Sequence, residues 1–187
     1  MKVILASASE RRQELLKRLI GNFTIEVSLF DENIVEFQGD VSKYVQDIAL
    51  GKAQDVAKKN DNAIIIAADT VVALDNEVIG KPKDKKDAAR ILKKLSGNTH
   101  GVYTGVVVIN TCTGKILKEA VYTSVKFSKL DEDDINDYIE SNEPMDKAGA
   151  YGIQGIGGTF VEGINGCYYN VVGFPLNKVK GMLKEII

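Results

Sequence analysis

The hydrophobic positions of this sequence change period several times along the chain, so helices and strands should alternate. A short apolar run at residues 2–6 predicts a buried strand. A helix should follow, with Ser7 and Glu10 at the spacing of a capping box. Strict alternation over residues 23–29 predicts a half-buried strand. Apolar side chains then recur at helical spacing over residues 41–59, which predicts a long amphipathic helix.

The rest of the chain continues this mixture of periods. Residues 63–68 form a continuous apolar run typical of a central strand, which should end at Asp69. Asp75 and Asn76 predict a hairpin turn. The remaining predicted elements are a helix over 84–95, strands over 101–110 and 115–128, a helix over 131–141, a glycine-rich segment with short strands over 149–173, and a closing helix that begins at Pro175. We therefore expect an α/β fold with a mixed sheet flanked by helices, in one domain over residues 1–187.

Composition and charge narrow the function classes. The chain is 44% hydrophobic and carries 24 basic and 26 acidic side chains, for a net charge of −2. A nucleic-acid binder usually shows a basic surplus, so we expect no nucleic-acid partner. No apolar run reaches the ~18 residues of a membrane span, and the first one is too short for a signal peptide. We expect a soluble, cytoplasmic protein with no membrane partner.

The first predicted strand-to-helix junction carries residues suited to phosphate. Ser7 and Ser9 allow close approach, the helix N-terminus offers unpaired N–H groups, and Arg11 and Arg12 supply fork-shaped donors. No glycine-rich GK[ST] run occurs, so this is not a Walker loop. A capped helix with solvated arginines is the alternative explanation of the same pattern.

Acidic side chains follow two of the predicted strands. Asp69 should lie at the carboxyl edge of the sheet, where ligand sites of α/β proteins occur, and Asp31 and Glu32 follow the strand at 23–29. Carboxylates suit hard cations such as Mg²⁺ or Mn²⁺. A metal site and a set of ordinary turn residues both remain open at this point.

Two lysines and a glycine-rich segment complete the candidates. Lys52 and Lys81 follow glycines and could neutralise phosphate charge, although most lysines are simply solvated. Gln154 lies among small residues over 143–155, and its amide can donate and accept, as reading a pyrimidine edge requires. A tight glycine-rich turn is the alternative. His100, the only histidine, is interpreted as structural.

The order of these motifs resembles the Maf family of nucleotide pyrophosphatases over residues 3 to 185. The matching residues are Ser7-x-Ser9-x-Arg11-Arg12-x-x-Leu15-Leu16, Asp31-Glu32, Gly51-Lys52-Ala53, Ala68-Asp69-Thr70-Val71-Val72, Gly80-Lys81-Pro82, His100-x-Val102-Tyr103-Thr104-Gly105, Glu143-Pro144-x-Asp146-Lys147-Ala148-Gly149-Ala150-Tyr151-Gly152-Ile153-Gln154-Gly155 and Asn170-Val171-Val172-Gly173. The resemblance implies a two-lobed fold with a central cleft, related to inosine triphosphate pyrophosphatases. It also implies cleavage of nucleoside triphosphates between the α- and β-phosphates with Mg²⁺ or Mn²⁺, and a homodimer.

The resemblance also implies roles for individual residues. Asp69 would be the catalytic acid/base and a metal ligand, with Glu32 beside it. The phosphates would be held by Ser7, Arg12, Lys52 and Lys81, and substrate choice would depend on Arg11, Thr70 and Gln154. The segment 150–155 resembles the branch that acts on dTTP and UTP. Glu10 and Phe174 depart from the family pattern, where proline and leucine are common.

Two other functions fit the resemblance. One is a pyrophosphatase for damaged purine triphosphates such as inosine triphosphate. The other is a nucleotide-sensing regulator of septum formation and cell division that needs no catalysis. A pure sensor has no need of Asp69 and Glu32 at a metal, so their joint presence favours the enzyme.

Overall fold

The computed structural model describes all 187 residues of the chain. The strands are β1 (Lys2–Leu5), β2 (Thr24–Ile25), β3 (Ala63–Leu74), β4 (Glu77–Ile79), β5 (Thr99–Asn110), β6 (Ile116–Phe127) and β7 (Val161–Asn165). The α-helices are α1 (Glu10–Lys17), α2 (Val41–Ala57), α3 (Lys85–Leu95), α4 (Glu132–Glu140), α5 (Tyr168–Val172) and α6 (Leu176–Ile186). Short 3₁₀ helices lie at Glu32–Ile34, Glu143–Asp146, Ala148–Ala150 and Ile156–Phe160. None of the helices has the length and apolarity that crossing a bilayer requires.

The seven strands form one mixed sheet. Six of them lie in the order β2-β1-β3-β5-β6-β7, and β4 pairs with β3 outside this path. β1 is parallel to both β2 and β3, whereas β4 is antiparallel to β3 and β7 is antiparallel to β6. The prediction of an α/β fold with a mixed sheet is confirmed.

The hairpin between β3 and β4 also confirms its prediction. Asp75 and Asn76 have positive φ angles of 50° and 62°. A two-residue loop with positive φ at both positions matches the right-handed twist of the strands, and asparagine and aspartate tolerate it better than most residues. The turn therefore follows directly from the local sequence.

The chain folds as two compact units. Unit 1 comprises Met1–Thr70, Thr104–Val121 and Gly173–Ile187, and unit 2 comprises Val71–Tyr103 and Tyr122–Val172. Strands β3, β5 and β6 contribute residues to both units. The single domain expected over the whole chain stays a prediction.

The core of unit 1 is built on small side chains of α2. Ala49, Ala53 and Val56 pack with apolar residues of β1, β3 and β5. Close approach also depends on Gly105 in β5, where an added Cβ would overlap the backbone carbonyl of Val45 in α2. The helix therefore lies near enough to the sheet for its polar residues to reach the strands.

The core of unit 2 contains an aromatic group around Phe127. The rings of His100 and Tyr151 lie 4.9 Å and 4.7 Å from that of Phe127, in edge-on geometry. Nε2 of His100 lies 2.9 Å from the hydroxyl of Tyr151. Burial lowers the pKa of His100 to about 4, so its imidazole is neutral at physiological pH. The structure thus places His100 in the core, as expected.

The strand predicted over residues 23–29 is wrong for most of its length. Only Thr24 and Ile25 pair with β1, and Ile25 and Leu29 are 48% and 82% exposed. Beyond the sheet, Asp55 of α2 accepts hydrogen bonds from the hydroxyl of Ser28 at 3.0 Å and the N–H of Leu29 at 2.8 Å. Alternation shows that a segment has two faces, but not that either face is covered.

Candidate active site

The first strand-to-helix junction differs from the predicted capping box. Ser9 caps α1 and accepts the backbone N–H of Arg12. Ser7 is buried, and its hydroxyl accepts from the N–H of Ser9 at 3.2 Å and from Nη1 of Arg12 at 3.4 Å. The helix begins later because Ala6 still pairs with β3 and donates to the carbonyl oxygen of Ile66 at 2.8 Å. The capping box with Ser7 as its cap is therefore wrong.

The guanidinium of Arg12 joins three segments of unit 1. Its Nε donates to the carbonyl oxygen of Gly173 at 3.0 Å, and its Nη1 donates to that of Ala68 at 2.7 Å. Its Nη2 donates to Oγ1 of Thr70 at 3.1 Å, and this oxygen lies 3.0 Å from Oγ1 of Thr104. These bonds fix α1 against β3 and against the chain segment before α6.

The charge of Arg12 is permanent. Desolvation lowers the pKa of its guanidinium, the negative charge of Asp69 raises it, and the neighbouring charge of Arg11 lowers it further. Arginine nevertheless stays protonated in proteins. With its bond to Ser7, Arg12 makes four hydrogen bonds to protein oxygens. Most of its donor capacity therefore organises the junction that was predicted to bind phosphate.

A second charged group centres on Lys52 of α2. Nζ of Lys52 lies 2.7 Å from Oδ1 of Asp69 and 2.7 Å from Oε1 of Glu32. The side chains of Lys52 and Asp69 are 15% and 11% exposed, whereas that of Glu32 is 52% exposed. One ammonium thus holds a largely buried carboxylate next to one that reaches solvent, as the predicted grouping of Asp69 with Glu32 requires.

Asp69 lies inside a strand rather than at its end. β3 continues from Ala63 to Leu74, and the residues on both sides of Asp69 are mostly buried. The predicted strand end at this position is wrong, because the apolar run resumes at Val71 and carries the strand onward. Asp69 is consequently held by strand backbone on both sides, which fixes its carboxylate more firmly than a loop would.

The segment that carries Glu32 is anchored to α2 by an aromatic contact. An added Cβ at Gly51 would overlap the ring of Phe30, so the missing side chain lets this ring lie directly on the helix. Phe30 lies two residues before Glu32, and Gly51 directly precedes Lys52. In the sequence, Gly51 stood out only as part of the Gly51-Lys52-Ala53 motif. A glycine in the middle of a predicted helix is unfavourable unless packing requires it. This unfavourable position is the signal from which a close contact at Gly51 could have been predicted.

Tyr44 of α2 lies within electrostatic range of this group, and sequence reasoning missed it. Burial raises the pKa of its phenol, and the negative charges of Asp69 and Glu32 raise it further. Its ring meets that of Phe37 edge-on, with centroids 5.6 Å apart. Helical periodicity over residues 41–59 places Tyr44 on the apolar face of the helix, and periodicity does not reveal where a hydroxyl points.

The donor set around Lys52 fits a small divalent cation. Mg²⁺ in phosphate-transfer sites is held by one or two carboxylates together with substrate phosphates and water. Asp69 and Glu32 supply two carboxylates within reach of one nitrogen. The structure shows no group of three or more histidine, cysteine or acidic side chains that could hold a metal by itself. Asp69 and Glu32 are the residues that would hold such a cation, together with the phosphate oxygens of a substrate.

The other predicted residues lie in different places. Arg11 follows Ser9 and Glu10 in the first turn of α1 and is half-buried. Thr70 directly follows Asp69 and bonds Arg12. Lys81 and Gln154 belong to unit 2, where both side chains are exposed. Unit 1 thus brings together Ser7, Arg12 and Thr70, and Asp69, which directly precedes Thr70 in β3, joins them to Lys52 and Glu32.

The protein therefore has a mixed α/β fold, and the groups around Arg12 and Lys52 bring basic and acidic side chains together within unit 1. The chain belongs to the family of Maf-like proteins, whose sequence model matches residues 2–186. The resemblance noted from the motifs is thereby confirmed.

Relatives cover the whole chain. A dTTP/UTP pyrophosphatase of Clostridium beijerinckii is 62% identical over 187 residues, which are 100% of both chains. One of Clostridium botulinum is 62% identical over 188 residues, again 100% of both. Among solved structures, a HAM1 protein from Coxiella burnetii matches with a TM-score of 0.56 and 14% identity, covering 99% of each chain. That likeness concerns the fold alone.

Proposed function

We propose that this protein hydrolyses nucleoside triphosphates, preferentially dTTP and UTP, to the monophosphate and pyrophosphate, using Mg²⁺ or Mn²⁺. The observation that carries the proposal is the contact of Lys52 with both Asp69 and Glu32, which places two carboxylates and an ammonium together. The dTTP/UTP pyrophosphatases that are 62% identical over the full length support the substrate class.

Asp69 is the proposed general base. Its carboxylate takes a proton from a water molecule as the water oxygen attacks the α-phosphorus. The bond from the α-phosphorus to the bridging oxygen then breaks, and pyrophosphate leaves with the electron pair. Asp69 is suited to this role because β3 fixes its backbone and Lys52 orients its Oδ1.

Cationic groups offset the charge that grows on the leaving pyrophosphate. The ammonium of Lys52 has three N–H groups, of which two face Asp69 and Glu32, so the third can donate to a phosphate oxygen. Lys81 is proposed as a second phosphate contact. A divalent cation held by Asp69 and Glu32 would supply Lewis-acid polarisation of the phosphate oxygens. Arg12 contributes mainly a fixed positive charge, because most of its N–H groups already donate to protein oxygens.

Pyrophosphate release from a panel of nucleoside triphosphates tests the proposal. With Mg²⁺ or Mn²⁺ present, we expect dTTP and UTP to be hydrolysed faster than GTP and inosine triphosphate. Removal of the cation with EDTA should abolish release, and excess Mg²⁺ should restore it, because Asp69 and Glu32 alone leave the phosphate charge unscreened.

Each other outcome of the panel identifies a different function. Faster hydrolysis of inosine triphosphate than of UTP would favour the purine pyrophosphatase. Binding of nucleotides without any release of pyrophosphate would favour the sensor of septum formation. Release that persists unchanged in EDTA would contradict the role of the cation.

Gln154→Ala should weaken the choice of base more than it slows the chemistry. The amide of Gln154, which is exposed in the free protein, is proposed to pair with the pyrimidine edge of the bound nucleotide. Polar recognition that becomes buried on binding discriminates between bases by about tenfold or more. We expect the ratio of kcat/KM for UTP to that for GTP to fall about tenfold, with kcat for UTP little changed. Gln54→Ala, at an exposed glutamine of α2, is the matched control. An unchanged ratio in Gln154→Ala would remove Gln154 from substrate selection.

A homodimer and a cytoplasmic location belong to the same proposal. The homodimer is implied by the family resemblance and the cytoplasmic location is an expectation from the sequence, and the enzyme chemistry proposed above depends on neither.

A further inference from the structure

The segment that carries Gln154 is held by one carboxylate, that of Glu143. Oε2 of Glu143 accepts the N–H of Ile156 at 3.0 Å, and Oε1 accepts the N–H of Gly157 at 3.2 Å. Both donors lie just after Gln154 in the chain. Burial alone would raise the pKa of Glu143, but these bonds and that from Tyr138 lower it below its ordinary value. The carboxylate is therefore charged at physiological pH.

The start of the same segment is held through Tyr138. The Tyr138 hydroxyl donates to Oε1 of Glu143 at 2.9 Å and accepts the N–H of Gly152 at 3.1 Å. Tyr138 itself is fully enclosed in the core of unit 2 and is 1% exposed. One pair of side chains, Glu143 and Tyr138, thus fixes the backbone on both sides of Gln154.

The glycines of the segment are required by this pair. An added Cβ at Gly155 would overlap the carboxylate of Glu143, and one at Gly157 would lie 2.6 Å from the hydroxyl of Tyr138. The backbone therefore presses against the two polar groups, with no side chain between them. Gln154 adjoins Gly155 and is exposed.

The other side of Glu143 is also fixed. Nζ of Lys147 donates to the backbone carbonyl oxygen of Glu143 at 2.7 Å and to Oδ1 of Asp146 at 2.6 Å. The backbone of Glu143 is held by Lys147 while its carboxylate holds the glycine-rich segment. A side chain secured at both ends can set the position of its partner to a fraction of an ångström.

We propose that Glu143 is a positioning residue for base selection: its carboxylate fixes the backbone of residues 152–157 so that the amide of Gln154 meets the base in one orientation. This inference rests on the proposed function, within which Gln154 reads the base. Glu143 itself touches no substrate. Its loss should therefore act through Gln154 and leave the reacting groups of unit 1 unchanged.

Glu143→Gln tests the proposal with a change of a single atom. The amide nitrogen replaces one acceptor oxygen with a donor, so at least one bond to the segment is lost. We expect the ratio of kcat/KM for UTP to that for GTP to fall about tenfold, mainly through a higher KM for UTP. The kcat for GTP should change by less than about threefold, since the proposed general base Asp69 and the proposed metal ligands are unchanged.

Glu140→Gln is the matched control, because Glu140 is an exposed glutamate of α4 that pairs only at the surface with Lys85. Its nucleotide ratio should equal that of the wild type. Gly155→Ala supplies an independent route, since the new methyl group displaces the carboxylate without removing it. It should reproduce the loss of selection, and Glu143→Gln/Gly155→Ala should lose less than the two single changes combined, as coupled neighbours do.

Two results would overturn the proposal: an unchanged UTP-to-GTP ratio in Glu143→Gln, or an equal loss of turnover on both nucleotides. If Glu143→Gln does not fold, Glu143→Asp keeps the charge with a shorter reach and is held to the same criterion. If the wild type releases no pyrophosphate, the proposed function fails. The dissociation constants of α,β-methylene UTP and α,β-methylene GTP, measured by calorimetry, then test the inference. If the ratio of the two constants is the same in the wild type and in Glu143→Gln, the inference is wrong.

Discussion

Asp69→Asn is expected to leave the protein folded and to lower pyrophosphate release from UTP by about 10²–10⁴-fold, the range that a positioned general base supplies. The amide has nearly the same shape as the carboxylate, but it cannot accept a proton from water. The substitution also removes one of the two negative partners of Lys52, whose Nζ lies 2.7 Å from Oδ1 of Asp69. Steady-state kcat for UTP, with thermal unfolding of both proteins, measures the effect.

The control for this change lies on the same helix as Lys52. Asp47→Asn removes the carboxylate from another lysine–aspartate pair, in which Nζ of Lys43 lies 2.6 Å from Oδ2 of Asp47. This pair is at the surface, where ion pairs contribute little, so turnover should stay at the wild-type level. A folded Asp69→Asn protein that keeps more than about a tenth of wild-type turnover would assign the base to another group.

Helices α3 and α4 were predictable because each carries two independent local signals, whereas α5 lies in a glycine-rich segment that was predicted to hold short strands. α3 has apolar residues at helical spacing, and Asp84 accepts the N–H of Asp87 as its N-cap. α4 has the same combination, with Asp131 as its cap. Signals of this kind depend on residues a few positions apart, which a single sequence displays fully.

The strand errors show where local patterns stop being informative. The alternation at 23–29 was real, yet only Thr24 and Ile25 joined the sheet. The run at 63–68 was also real, yet the strand passed through Asp69 to Leu74. The first boundary coincides with tertiary contacts, since Ser28 and Leu29 bond Asp55 of α2, whereas the second follows the apolar run that resumes at Val71 beyond the polar pair Asp69-Thr70.

The members of the candidate site were identifiable, but their geometry was not. Asp69, Glu32 and Lys52 stood out as residue types in family motifs, whereas their contacts join β3, α2 and the segment after Phe30, which are far apart in the sequence. Two acceptors of Arg12 are backbone carbonyl oxygens, which carry no side-chain signature. A sequence does not show which carbonyl a distant side chain will meet.

Arg12 should therefore matter for stability as much as for binding. Its guanidinium makes two bonds to the backbone of Ala68 and Gly173 and one each to Ser7 and Thr70. Hydrogen bonds to charged groups contribute about 1.5–3 kcal/mol each when removed singly, and those that share one group are not additive. Truncation also leaves the carbonyl oxygen of Ala68 without this donor inside unit 1.

Arg12→Ala is expected to lower the free energy of unfolding by about 2–4 kcal/mol in denaturant titrations. Arg12→Lys should recover little of this loss, because one ammonium cannot span acceptors that a planar fork reaches together. Arg90→Ala, which removes an exposed arginine paired with Asp87, should stay within about 0.5 kcal/mol of the wild type. An Arg12→Ala protein as stable as the wild type but inactive would show that the guanidinium serves the substrate, and that its bonds to Ala68 and Gly173 stabilise nothing.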